Sequence, residues 1–259
     1  MNSTPRVFIV DDCSDVRDSL ASLVSEHGLD TESYSSGTEF LSVYDGQTAG
    51  CLIIDIRLPG LNGLEVLDVL AERGIRLPTI VVTGHGEVPL VVRAVRSGAI
   101  DFLEKPFKWD QLKGSIDLAL KLDAMNRKIA RQLSAIDERL ALLTPQEHRV
   151  MEMLVAGRPN KTIAAESDIS LRTVEFRRAR VLQVFDARCV SEVVAVKIIR
   201  GRLLEQTNRP FNEWIDGMDN ATTAACDFDL CPSWIHRSST AAMPVVAPDV
   251  EAGIALNIV

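Results

Sequence analysis

Short apolar runs rich in β-branched residues recur through the first part of the chain, and each stops where chemistry begins. Val7-Phe8-Ile9-Val10 runs into Asp11-Asp12, Cys51-Leu52-Ile53-Ile54 into Asp55, and Thr79-Ile80-Val81-Val82 into Thr83. Phe102 and Lys105-Pro106 close the series. Unbroken apolar runs of this length are the mark of strands buried on both faces of a parallel sheet. Helical patterns lie between them. Val16, Leu20, Leu23 and Val24 make one apolar face that should stop at Gly28, and Ser36-Gly37-Thr38-Glu39 has capping-box spacing for the next helix. Gly63 to Arg73 and Val88 to Ser97 supply two more, and a fifth starts near Trp109 with Leu112, Ile116 and Leu120. This alternation predicts a doubly wound, five-stranded parallel sheet with helices on both faces.

In such a sheet the carboxyl ends of the strands line one crevice, where ligands bind. Asp11, Asp12, Asp55, Thr83 and Lys105 should therefore converge on one edge. Three carboxylates, a hydroxyl and an ammonium suit a divalent cation and a phosphoryl group, with one carboxylate as nucleophile. The plainer alternative makes the acids mere helix caps or loop residues. Gathering three of them at a buried edge without a compensating cation would destabilise the fold, which argues against it.

At 259 residues the chain is long enough for one large or two ordinary domains. No apolar stretch approaches the ~18 residues that span a bilayer. The opening MNSTPRVFIVDD has no long apolar segment of the kind that directs secretion, so a cytoplasmic protein with no membrane partner is expected. Five scattered cysteines, an odd number, argue against a disulfide framework. The net charge of −8 is unevenly spread. Residues 1–122 carry 11 Lys/Arg against 18 Asp/Glu, residues 143–204 carry 11 against 7, and the remainder from Glu205 carries 2 against 8. The overall acidity thus does not exclude nucleic-acid binding by the basic middle segment.

Helical spacing continues past residue 122 through Leu118, Leu122, Met125, Ile129, Leu133, Ile136, Leu140 and Leu143, with a stutter between Ile129 and Leu133. A helical linker over 123–142 is expected, and whether its seam self-associates is open. Thr144-Pro145-Gln146-Glu147 combines a Thr cap, Pro at the first helical position and Glu at the third. Four helices should follow over residues 145–156, 160–166, 171–184 and 191–204, with the corner Asp168-Ile169-Ser170 between the second and third. Beyond Glu205 the composition is acidic and rich in Ser and Thr, and most of it is expected to be disordered. Cys226, Cys231 and His236 match no zinc-ligand spacing, while Phe211, Trp214, Ile215, Trp234 and Ile235 are candidates for docking onto the folded part.

The stretches VDD, CLIIDIRLPGLNG, VVTGHGEVP and GAIDFLEKPF make residues 1–122 resemble the receiver domain of response regulators, in its FixJ branch, with a flavodoxin-like fold. LTPQEHRVMEMLVAGRPNKTIA and ISLRTVEFRRARV make residues 143–204 resemble a LuxR-type helix-turn-helix, an all-α DNA-binding domain. The tail 205–259 carries no such resemblance. The resemblance implies a phosphorylation-switched transcriptional regulator of a bacterial two-component system, with Asp55 phosphorylated by a histidine kinase. It implies Mg²⁺ held by Asp11, Asp12, Asp55 and the backbone carbonyl of Arg57, and a phosphoryl group stabilised by Thr83 and Lys105. Thr83 and Phe102 would be the switch pair that turns phosphate into a packing change near the fourth helix and fifth strand, and Lys105-Pro106 would be cis. A homodimer on phosphorylation and a double-stranded DNA operator are implied as partners.

Residues 171–184 would then be the recognition helix, with Lys161, Arg172, Thr173, Arg177, Arg178 and Arg180 as DNA-binding candidates, because guanidinium groups suit phosphates and guanine edges. Val174, Val181, Leu182 and Ile163 are expected in the core. Val193, Val194, Val196 and Ile199 of the last helix are either core or a dimer surface. Three positions qualify the transfer. Arg57 and His85 lie two residues past Asp55 and Thr83, where they either overhang the phosphoryl group or remain solvated, and Arg177 stands where many relatives carry His. Catalysis would be limited to the protein's own phosphoryl transfer and loss. The rival is a phosphotransfer or protein-interaction module whose helix-turn-helix does not bind DNA; an aspartyl-phosphate hydrolase is disfavoured by the Lys105-Pro106 cluster and by the second domain.

Overall fold

The parallel sheet is built from β1 (Arg6–Val10), β2 (Asp30–Tyr34), β3 (Gly50–Asp55), β4 (Thr79–Thr83) and β5 (Asp101–Glu104), in the order β2-β1-β3-β4-β5. The computed structural model describes residues 4–84 and 88–208. Helices α1 (Ser14–Glu26), α2 (Gly37–Val43), α3 (Gly63–Glu72), α4 (Val88–Arg96) and α5 (Trp109–Ala141) connect and follow the strands. Alternate strand residues go to opposite layers, as the pleat requires. Val7, Ile9, Cys51, Ile53, Ile80 and Val82 pack with Leu20 and Val24 of α1 and with Leu112 and Ile116 of α5. Phe8, Val10, Leu52, Ile54 and Val81 pack with Phe40 of α2, Leu64 and Leu67 of α3 and Ala94 of α4. Both faces are covered, which is why the strands read as continuous apolar runs.

The strand order reverses beside β1, the position where open α/β sheets form their ligand crevice. Val10 pairs with Ile54, so Asp11 and Asp55 are the next residues out on adjoining strands. Local signals set the helix ends. Gly28 closes α1 at φ 78°, in the left-handed region that only glycine enters without strain. Ser36 accepts the amide of Glu39 at the start of α2, but the Glu39 carboxylate takes the amide and hydroxyl of Ser35, at 2.8 and 2.7 Å. The reciprocal half of the expected box is thus displaced by one residue. A complete box forms instead at Asn62–Glu65, ahead of α3.

α5 runs unbroken for 33 residues and carries the chain out of the sheet. Leu122, Ile129 and Ile136 of its seam are buried, and Leu143 just beyond it is buried with them. They belong to an apolar cluster that extends from the sheet to Val196, Ile199 and Leu203 of the last helix. The seam is therefore covered by the chain itself, and only Met125 stands out to solvent. α6 (Pro145–Val155), α7 (Asn160–Ser167), α8 (Leu171–Val184) and α9 (Val190–Asn208) follow. Thr144 and Glu147 form the expected capping box, Pro145 opens α6, and Asp168 turns the chain at φ 51°. Val174, Val181 and Ile163 are buried as expected, as are Val193, Val196 and Ile199 of α9.

The last helix corrects the expected start of the tail. α9 continues past Glu205 to Asn208, because Leu203 is buried and the guanidinium of Arg76 donates to the carbonyls of Gln206 and Thr207. Terminal helix carbonyls lack partners within the helix, and an arginine supplies them here. The readings of His85, Phe211, Trp214, Ile215, Cys226, Cys231, Trp234, Ile235 and His236 lie outside the described residues.

A polar clamp anchors α5 to the sheet. Asp123, 3% exposed, accepts the Gly50 amide at 3.0 Å and Nε of Arg127 at 2.8 and 3.0 Å. Arg127 also donates to the carbonyls of Gln47 and Thr48, at 2.8 and 2.6 Å. Burial pushes the Asp123 carboxyl up, and the hydrogen bonds and charge of Arg127 oppose it. A carboxyl raised in the folded state favours folding where it is protonated and loses that contribution as pH rises through its folded pKa. Arg127→Ala should therefore cost about 3 kcal/mol or more at neutral pH, by leaving a buried carboxylate without its cation. The gap from wild type should narrow as pH falls and Asp123 takes a proton, and urea unfolding at neutral and at acidic pH measures it.

Candidate functional site

Asp11, Asp55 and Lys105 meet at the carboxyl edge of the sheet. Lys105 Nζ donates to Asp11 Oδ2 and to Asp55 Oδ2, each at 2.6 Å. Asp11 and Asp55 are buried, at 1% and 8% exposure, and Lys105 sits behind β5, where its amide donates to the Thr83 carbonyl at 2.8 Å. Burial by itself would lower the Lys105 pKa, but the hydrogen bonds and charges of Asp11 and Asp55 outweigh it and hold the ammonium protonated. The Lys105–Pro106 peptide is cis, as expected.

Each acid is also held by the main chain. Asp11 Oδ1 accepts the Cys13 amide at 3.0 Å, and Asp55 Oδ1 accepts the Arg57 amide at 2.9 Å. Arg17, not singled out from the sequence, donates to the Asp11 carbonyl at 2.7 Å and fixes the turn after β1. Gly63 was also missed. A Cβ there would collide with the Asp55 carbonyl oxygen and lie 3.0 Å from its carbon, so glycine lets α3 start directly against the β3 end. The signal lay in the Asn62-Gly63 pair, which reads as a helix start and does not announce a close approach.

Asp12 and Arg57 are exposed at the mouth. Among the described residues, no three acidic, His or Cys side chains are gathered closely enough to hold a metal ion. The expected three-acid convergence is therefore met by two acids and the lysine, with Asp12 beside them facing solvent. The charge balance explains the arrangement. Two buried carboxylates against one ammonium leave a net negative charge that Asp12 increases, and hard oxygen donors of this kind fit a small divalent cation.

Thr83 is fully buried at the end of β4. Phe102 is half-buried on β5 and packs against the layer formed by α2, α3 and α4. Val81 pairs with Phe102 and Thr83 with Glu104, so Thr83 and Phe102 share one face of the sheet, two register positions apart along adjoining strands. Beyond them α4 presents Val88, Val92 and Val95, 75%, 45% and 42% exposed, at helical spacing.

The basic residues of α7 and α8 divide into two groups. Lys161 and Arg172 are exposed, and Arg180 is half-buried with its guanidinium 3.2 Å from Gln183 Oε1 on the same helix. Arg177 instead donates to Gln146 of α6, and Arg178 reaches Asn160 Oδ1 of α7 at 3.5 Å. Thr173 shares the Ser170 N-cap, its amide and hydroxyl both bonded to Ser170 Oγ. Arg177 and Arg178 thus tie α8 to α6 and α7, while Thr173 is engaged in the cap of its own helix. Sequence spacing could not show this, because the partners come from other helices or from the cap. Arg139 of α5 donates to the carbonyl of Val184 at 2.6 Å, closing the other end of α8.

Two families of known proteins match the chain in succession. Residues 7–117 match the response regulator receiver domain, and residues 141–196 match the luxR family of bacterial regulatory proteins. The transcriptional regulatory protein FixJ of Bradyrhizobium diazoefficiens is 38% identical over 203 residues, covering 78% of this chain and 99% of that protein. The response regulator protein TodT of Pseudomonas putida is 37% identical over 190 residues, covering 73% of this chain and 84% of that protein. Among solved structures, the response regulator StyR superposes with a TM-score of 0.68 at 32% identity, over 79% of this chain and 100% of that one. The sheet-edge acids with their bridging lysine and the helix-turn-helix that follows are thus the two halves of one architecture: the chain belongs to the response regulators in which a receiver domain precedes a LuxR-type DNA-binding domain, and it is a phosphorylation-dependent transcriptional regulator.

Proposed function

We propose that Asp55 accepts a phosphoryl group from the phosphohistidine of a kinase. The observation that carries this is the Lys105 ammonium held 2.6 Å from both Asp11 and Asp55 at the sheet edge. A carboxylate oxygen of Asp55 attacks phosphorus, the bond from phosphorus to the donor nitrogen breaks with its electron pair returning to that nitrogen, and, because the other ring nitrogen of the phosphohistidine carries a proton, neutral imidazole leaves. Lys105 neutralises charge on the transferring group, and the Thr83 hydroxyl lies at the neighbouring strand end to receive a phosphoryl oxygen. Asp11, Asp12, Asp55 and the Arg57 carbonyl would hold Mg²⁺, which when bound supplies charge neutralisation at the phosphoryl oxygens. The protein catalyses only this transfer and the later loss of its own phosphate. It acts in the cytoplasm, where its DNA lies.

Phosphorylation then draws Thr83 toward the new oxygens, and Phe102 on the same face repacks beneath α4. The exposed stripe Val88, Val92 and Val95 supports a homodimer formed through α4 and β5 in that state. The output domain binds a double-stranded DNA operator through the exposed side of α8, with Lys161, Arg172 and Arg180 as its outward cations.

Asp55→Asn should fold as wild type by circular dichroism yet take up no label from a small phosphodonor or a phosphorylated kinase. Label at the wild-type level would sink the assignment. Asp12→Ala should weaken Mg²⁺ binding at least tenfold by isothermal titration, and an unchanged affinity would remove Asp12 from the site.

Beryllofluoride with Mg²⁺ should double the mass seen by light scattering. Val92→Glu should keep the protein monomeric in that state, because it places a charge within an apolar contact. A mass that beryllofluoride leaves unchanged in wild type would refute the switch-driven dimer.

Arg180→Ala should weaken DNA binding and reduce the salt slope by about one unit, as loss of one phosphate contact does. Arg177→Ala should leave that slope unchanged, since its guanidinium is engaged with Gln146. Anisotropy titrations at several salt concentrations separate the two, and equal slopes for both variants would contradict the division.

A further inference from the structure

The outward side of α8 carries a residue that the distribution of basic side chains does not explain. Phe176 is 72% exposed, surpassed among the described large apolar residues only by Val88. The other described phenylalanines, Phe8, Phe40, Phe102, Phe107 and Phe185, are buried or half-buried. Phe176 is not a misplaced core residue, since α8 already seats Val174, Val181 and Val184 inside, each at 1% exposure or less.

Its neighbours define what it faces. Arg172 lies one turn before it and Arg180 one turn after, so the ring stands between two cations on one helical stripe. Glu175, Ala179 and Gln183, all exposed, form the adjoining stripe. Arg177 and Arg178 are turned back to Gln146 and Asn160 and leave the ring uncovered. A helix laid in the major groove by two flanking cations brings its middle residue against base edges. The one apolar group displayed there is the C5-methyl of thymine.

Resting on the DNA-binding reading above, we propose that Phe176 is a specificity-determining residue that selects thymine by packing its ring on the C5-methyl group. Arg172 and Arg180 hold the phosphates on either side and carry affinity without sequence information. The ring then supplies selectivity that no arginine on this helix provides, because a guanidinium prefers guanine.

The test uses the full-length protein activated with beryllofluoride. Its operator is first selected from randomised duplexes, and each thymine is then replaced singly by deoxyuridine, which removes only the methyl group. Wild type should lose affinity roughly fourfold at one thymine of each half-site, the worth of one buried methyl group. Phe176→Ala should fold normally, bind the unmodified operator at least tenfold more weakly, and show no further loss with deoxyuridine at that position. Sensitivity to deoxyuridine at no position in wild type, or sensitivity kept in Phe176→Ala, overturns the assignment while DNA binding stands. So does a Phe176→Ala protein that loses its activated dimer mass and weakens on all sequences alike, which would place the ring between two copies of the chain. A selection that enriches no sequence overturns the DNA-binding reading together with it.

Discussion

Two buried carboxylates on adjoining strands repel one another, and the receiver half is arranged around that constraint. In a medium of low dielectric, such a pair is tolerable only with a cation between its members. Lys105 provides it, reaching Asp11 and Asp55 from beyond β5. Everything that places Lys105 therefore bears on Asp11 and Asp55: the parallel pairing of β5 with β4, the bond from its amide to the Thr83 carbonyl, and the turn into Pro106. The residual negative charge suits a divalent cation, and in the proposed function the ammonium, on its long stem, would follow the incoming phosphoryl group. One small set of charges thus prepares the site for chemistry and links its strand ends.

The second organising element is α5. A helix of 33 residues would be marginal in water if its apolar seam lay bare, since tertiary packing supplies most helix stability in proteins. Here the seam is covered by the sheet at one end and by α9 at the other, within one apolar cluster. Polar contacts pin it at intervals: Asp123 and Arg127 to the turn before β3, Asp137 to Arg200 of α9, and Arg139 to the end of α8. The same helix that packs under the sheet therefore carries an arginine that closes α8. The two halves are joined by shared packing and not by a loose tether.

What was legible in the sequence was whatever depends on chain periodicity. The five βα units, the order of the chemistry-bearing strand ends, the Thr144–Glu147 box and the bounds of α8 all follow from patterns that neighbouring residues define. The misses share a different cause. The Glu39 carboxylate takes the amide of Ser35 rather than that of Ser36, a choice between adjacent amides that spacing does not decide. α9 outran the expected boundary because Arg76, 130 residues away along the chain, caps it. Gly63 read as part of a helix start, yet its role is to leave room for the Asp55 carbonyl.

The sequence by itself determined which groups could do chemistry, since residue type sets charge, donor capacity and strand or helix preference. It placed Asp11, Asp12, Asp55, Thr83 and Lys105 at one edge by topology alone. Only the tertiary structure decided which of them touch, because contact depends on distances between elements far apart in the chain. It set Lys105 between two acids and left Asp12 outside them. It also sorted the arginines of α8, turning Arg177 and Arg178 toward α6 and α7 while Phe176 faces outward. On one amphipathic helix those residues look alike; packing against α6 and α7 makes them different.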